Sequence, residues 1–132
     1  MPKISVEEIR NISKTALIQH GALDWISKHV ADAVAASESV GNRICGLYYL
    51  ESYCEQLLSG RVSGQASPDV KLVSSGSVYV DADDGFAQPA FSKGLPEALK
   101  LAKKNGIASL SIGRAHTCTS LGYFTKKIAV SG

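Results

Sequence analysis

Apolar residues Ile9, Ile12, Ala16 and Leu17 recur at three- and four-residue steps, the stripe of one helical face. Ser5-Val6-Glu7-Glu8 ahead of them is a capping box. The Ser5 hydroxyl can accept an orphan amide, and Glu8 can reach back to the Ser5 amide. This helix is expected to end near Gly21. Ile26, Val30, Ala33 and Val34 predict a second helix from about Asp24 to Glu38, with Ala31, Ala35 and Ala36 small enough to admit a close neighbour. A third is predicted from about Ile44 to Ser59, with Leu47, Leu50, Cys54, Leu57 and Leu58 inward and Gly60 beyond its end.

After Gly60 the pattern changes. Arg61 to Ser67 is rich in Gly and Ser and is closed by Pro68, a loop. Lys71-Leu72-Val73 and Ser77 to Asp81 are short β-branched stretches flanking Ser74-Ser75-Gly76, which reads as a hairpin or strand pieces. Asp83-Asp84-Gly85 is a turn. Leu95-Pro96-Glu97 opens a helix with Pro at its first position, and Leu95, Ala98, Leu99 and Ala102 pack inward until Gly106. Ile107 to Ile112 alternates as a strand. A last helix starts near Thr119 or Ser120 and carries Leu121, Phe124, Ile128 and Ala129. The class is α+β. The expectation is a single segment, 1–132, helical to about residue 60 and mixed β/α from about residue 68, with no internal repeat. The chain stops at Gly132 directly behind an apolar helix, which reads as the front part of something longer.

Composition narrows the partners. Apolar residues make up 45% and charged residues 20%, a globular balance that argues against disorder. A net charge of +2 gives no electrostatic reason to expect nucleic acid or an anionic membrane as the main partner. No apolar run approaches the ~18 residues of a membrane span. Glu7 and Glu8 stand where a secretory leader would need its apolar stretch, so the expectation is a cytoplasmic protein. Cys45, Cys54 and Cys118 are then free thiols rather than a disulfide framework.

Chemistry concentrates in Gly113-Arg114-Ala115-His116-Thr117-Cys118-Thr119-Ser120, behind a predicted strand and ahead of a helix. Catalytic groups and anion-binding amides favour such strand ends. An imidazole there can pass a proton near neutral pH, and the competing reading is a His that only ties down a loop. His116 and Cys118 do not make a zinc site, because no Cys-x-x-Cys accompanies them. No phosphate loop of Gly-x-Gly-x-x-Gly or Gly-Lys-Ser/Thr type is present. Tyr48, Tyr49 and Tyr53 read as half-buried structural residues that could line a pocket. The Lys103-Lys104 and Lys126-Lys127 pairs read as solvated helix faces, and His20 and His29 as structural.

Taken together the chain resembles the malate/L-lactate dehydrogenase family that lacks a Rossmann fold, which also holds ureidoglycolate and sulfolactate dehydrogenases. Four pieces carry the resemblance, which runs from about Ile4 to the last residue. They are Ala36 to Gly41 leading into Gly46-Leu47, Leu50, Tyr53, Leu57 and Gly60; Pro68-Asp69-Val70; Val80-Asp81 with Gly85 to Ala90; and Gly106-Ile107 followed by His116 and Gly122-Tyr123. The resemblance implies an NAD(P)-dependent oxidoreductase that interconverts a 2-hydroxy acid and a 2-oxo acid, usually as a homodimer. It implies that this chain is an N-terminal part of a larger non-Rossmann fold, inactive without a C-terminal cofactor-binding region.

By the same resemblance His116 is the catalytic candidate, and Thr117, Thr119 and Ser120 are cofactor-binding candidates. Arg43 and Tyr53 are substrate-binding candidates. Ile44-Cys45-Gly46 stands where many members carry Ser-His-Gly, and Tyr49 where they carry an Arg. His116 lies one residue further from Gly-Tyr than the family interval, so either an insertion follows it or Thr117 holds the family position. A non-catalytic association module that keeps the same scaffold is the alternative, and a small metal-binding regulator a third.

Overall fold

The computed structural model describes residues 3–132, so the first two positions of the 1–132 segment lie outside it. The capping box forms as read: the Glu8 amide donates to the Ser5 hydroxyl at 3.1 Å and the Ser5 amide to Glu8 at 2.8 Å. It starts α1, Val6–Gln19. Helix α2, Asp24–Ser39, packs against it. Ile9 and Leu17 meet Ile26, Val30, Ala31, Val34 and Ala35 in one buried cluster, the small alanines permitting the close approach. Ile12, expected inward, faces out at 53% exposure, because a buried Ser13 takes the facing position.

The third helix starts later than the pattern suggests. Arg43–Cys45 is a 3-10 turn, and only Leu47–Leu58 is α3. Glu38 explains the break: its carboxylate accepts the Leu47 amide at 2.8 Å and occupies the space where a Cβ on Gly46 would sit. Tyr53, Cys54 and Leu57 face the core, whereas Leu58, also expected inward, is exposed at 71%.

The hairpin reading is correct. Strands β1, Asp69–Ser74, and β2, Ser77–Asp81, pair antiparallel. Helix α4 then spans Ala87–Asn105, and β3, Ser109–Gly113, pairs parallel to β2 in a sheet of order β1-β2-β3. The expected helix start at Leu95 is eight residues late. Pro89 falls in the first turn, where an amide has no partner to lose, and Pro96 is carried inside the helix. Helix α4 meets the sheet through Ala90, Gly94 and Ala98, whose spacing puts three small residues on one face. A Cβ on Gly94 would collide with Val80 and lie 2.7 Å from Leu110. Helix α5, Leu121–Ala129, follows an N-cap at Ser120, as read.

Two buried clusters result, one among the helices and one between α4 and the sheet. Phe86, just ahead of α4 and 1% exposed, belongs to the helical cluster and so fastens the sheet's crossover to the helices. Among the described residues no helix is long and apolar enough to cross a membrane.

Candidate functional site

The parallel strands β2 and β3 both end at one rim, and the loops that leave them are laced together there. The Ala82 amide donates to the Gly113 carbonyl and the His116 amide to the Gly85 carbonyl, at 2.9 and 2.8 Å. A single parallel bridge pairs Phe86 with His116. Arg114 clasps the other loop from outside, its guanidinium reaching Asp81 at 2.9 Å, Asp84 at 3.0 Å and Asp83 at 3.4 Å. Asp83, Asp84 and Arg114 all take left-handed backbone conformations, with φ of 54°, 55° and 47°. The Arg114 guanidinium, through its bond to Asp81, holds that carboxyl below the usual range.

This lacing sets His116. Its ring stands edge-on to Tyr53 and Phe86, each with centroids 6.1 Å away, and is only part-buried. Its Nε2 is buried without a hydrogen-bond partner. Burial first, and the charge of Arg61 second, push its pKa below the ordinary value, so the ring is neutral at pH 7.

Two hollows border that ring. One, of about 390 Å³, is lined by Phe91, Leu110, Ile112, Leu121 and Phe124 besides His116, Thr117 and Cys118. The other, of about 290 Å³, is polar and lined by Arg61, Asp84, Arg114, Ala115, His116 and Thr117. An imidazole thus separates an apolar space from a cationic one.

The remaining candidates fall into three places. Thr117 is exposed and borders both hollows. Tyr53 and Thr119 meet behind the ring: the Tyr53 hydroxyl and Thr119 Oγ1 are 2.9 Å apart, and Gln88 Nε2 donates to that phenol at 3.3 Å. Tyr53 is 1% exposed, and burial pushes its pKa up to about 12. Its hydroxyl is therefore spent inside the protein, bracing the loop that bears His116. Ser120, 8% exposed, lines a different hollow with Arg10, Asp32 and Tyr123. Arg43 is exposed on the 3-10 turn and borders neither hollow beside His116.

Sequence reading missed three participants. Gln88 is fully buried, with Oε1 unpaired, and lies between the turn at Gly85 and the helix expected from Leu95, where the pattern predicts no element. Phe86 carried no periodic signal. Arg61 stood alone at the head of a Gly/Ser-rich loop, and only the tertiary fold brings it to His116. Elsewhere the structural readings of the other histidines hold: His20 Nδ1 lies 2.6 Å from the Ala16 carbonyl, and His29 packs edge-on against Trp25. All three cysteines are free, with Cys54 buried in the helical cluster. Among the described residues no cluster of three or more His, Cys, Asp or Glu could hold a metal.

Comparison with known proteins places the fold. A family model for malate/L-lactate dehydrogenase matches residues 4–132. The Delta(1)-pyrroline-2-carboxylate/Delta(1)-piperideine-2-carboxylate reductase of Pseudomonas putida is 31% identical over 119 residues, 90% of this chain and 35% of that protein. The (2R)-3-sulfolactate dehydrogenase (NADP(+)) of Chromohalobacter salexigens is 31% identical over 98% of this chain and 38% of its own length. The crystal structure of delta1-piperideine-2-carboxylate reductase from Pseudomonas syringae superimposes with a TM-score of 0.95 at 27% identity, covering 100% of this chain and 40% of that one. The chain therefore spans little more than a third of the length of the relatives it matches, and its α+β segment recurs inside their longer chains.

Proposed function

Because the chain belongs to the malate/L-lactate dehydrogenase family, we propose that it supplies one wall of the active site of an NAD(P)-dependent oxidoreductase. The substrate class is a small 2-oxo acid, or its cyclic imine counterpart, and the reduced acid. The observation that carries the reading is His116, a neutral imidazole poised between an apolar and a cationic hollow at the rim of two parallel strands.

The apolar hollow fits a flat, weakly polar ring: Phe91, Leu110, Ile112, Leu121 and Phe124 line it, and His116 stands at its edge with Nε2 buried and unpaired. The nicotinamide, when bound, supplies or removes the hydride, and Thr117 is the candidate that borders this hollow and would hold it, whereas Thr119 is hydrogen-bonded to Tyr53 and Ser120 lines the hollow of Arg10 and Asp32. His116 moves the accompanying proton. In the oxidising direction the neutral ring takes the proton of the substrate hydroxyl. In the reducing direction the protonated ring returns it to the nascent oxygen or nitrogen. A lowered pKa favours the first state at pH 7. Tyr53, Gln88 and Phe86 hold the imidazole in place and keep its inner edge dry.

The test is a chimera in which this chain replaces the matching segment of the Pseudomonas syringae reductase. NADH and NADPH fluorescence titration should show nicotinamide binding. His116→Asn should retain that binding while losing 100-fold or more in turnover, on the order of a positioned general acid–base. Absence of nicotinamide binding, or full turnover in His116→Asn, overturns the proposal.

One observation favours the alternative of an association module: Val40, Ile44 and Tyr48 are 73%, 71% and 79% exposed at the α2–α3 junction. Under that reading the chimera binds no nicotinamide, and Ile44→Ser with Tyr48→Ser abolishes self-association measured by sedimentation.

A further inference from the structure

Arg43, the cation expected to meet the substrate, borders neither hollow beside His116. The polar hollow nevertheless holds two guanidinium groups. That of Arg114 is consumed by Asp81, Asp83 and Asp84. Arg61 has no carboxylate partner among the described residues, and it lines the same hollow as His116 and Thr117.

Its backbone is fixed rather than loose. Gly60 ends α3 in a left-handed conformation, φ 72°, which turns the chain toward the sheet. Val62 is 2% exposed and its amide donates to the Gln56 carbonyl at 3.2 Å. The Ser63 amide then donates to the Asp84 carbonyl at 2.9 Å, tying the strap to the loop that Arg114 clasps. Arg61 is thus held at its base by α3 and ahead by the β2–α4 loop, with only its side chain free to reach.

We propose that Arg61 is the anion-binding residue of this site, its guanidinium receiving the carboxylate of a small 2-oxo or 2-hydroxy acid in the hollow bordered by His116 and Thr117. A guanidinium matches two carboxylate oxygens with two parallel donors, and the already neutralised Asp84 beside it offers no competing attraction. The placement also orients the acid. With its carboxylate on Arg61, the adjoining carbon and its oxygen lie toward the imidazole, and the Thr117 hydroxyl can donate to either oxygen. Arg61 also disfavours the imidazolium, so a bound carboxylate, by offsetting that charge, raises the proton affinity of His116. Substrate capture and proton readiness are then coupled. The proposal rests on the dehydrogenase reading only for the identity of the anion.

The experiment is an NMR titration of the isotopically labelled 132-residue chain with pyruvate as probe, following the His116 ring and Thr117 amide signals against pH. Pyruvate is expected to displace both signals and raise the His116 pKa. Arg61→Gln is expected to raise the resting His116 pKa and weaken pyruvate at least tenfold, with Arg61→Lys between the two. An undiminished pyruvate response in Arg61→Gln overturns the proposal, as does a response lost in Arg43→Gln instead, or no response in the parent chain. Nicotinamide binding by the chimera is scored separately. Its failure sinks the dehydrogenase reading and leaves anion capture standing, whereas pyruvate binding indifferent to Arg61 does the reverse.

Discussion

A buried hydroxyl with two partners is costly to delete, and Tyr53 is such a residue. Tyr53→Phe keeps the edge-on packing with Phe86 and His116 but leaves Gln88 Nε2 and Thr119 Oγ1 without their shared partner. Urea denaturation is expected to show a loss of about 1–3 kcal/mol, the usual cost of stranding buried polar groups. Histidines give a second prediction. Burial is the first cause that lowers the pKa of both His29 and His116; the next is Lys127 for His29 and Arg61 for His116. An unfolded His titrates near about 6.5, so the unfolded chain binds these protons before the folded one does. Their contribution is full above that value and is lost as pH falls through the lowered folded pKa values. Thermal melts from neutral pH down to about 5 should show falling stability, and His29→Gln combined with His116→Gln should flatten that segment of the curve. Melting unaffected by pH in the parent chain would contradict the burial of both rings.

At the scale of elements, α4 rests on small residues. Gly94→Ala drives a methyl into Val80 and Leu110 and is expected to cost about 1–3 kcal/mol by overpacking, read as a lower urea midpoint. The same small residues explain what could be read from the chain in advance. Helices α1 and α2 and strand β2 announce themselves because Ile, Leu and Val recur at regular steps on their buried faces, whereas β1 and α5 were legible from apolar residues, Leu72, Val73, Leu121 and Ile128, that the fold leaves exposed. The first half of α4 buries Ala87, Gln88, Pro89, Ala90 and Gly94, residues that carry almost no hydrophobic signal and two of which normally mark loops. Its start was therefore invisible until the sheet was present to pack against. His116 was legible as a strand-end residue, but its partners were not. Arg61, Phe86 and Gln88 reach it through loop lacing, a tertiary property with no local period.

For the molecule as a whole, Phe86 sits in the helical cluster immediately ahead of α4, the helix whose face closes the second cluster. That single ring, 1% exposed, ties the sheet's crossover to the helices. Phe86→Ala is expected to cost about 3–5 kcal/mol and to separate the one unfolding transition into two, helices and sheet melting apart in tryptophan fluorescence and far-ultraviolet dichroism. Trp25 packs on the helical cluster and carries the Lys93 ammonium of α4 over its ring, so fluorescence follows the helical half and its seam with α4. Retention of coincident transitions would mean that α2–α4 packing suffices to couple them.

The rung between His116 and Gly85 has a use of its own. Its amide proton can trade with deuterium only when the two strand exits part company, so one resonance times the unzipping of the rim. A ligand that seats in either hollow should lengthen that lifetime, and cutting the Arg114 clasp should shorten it, before any change in melting is visible.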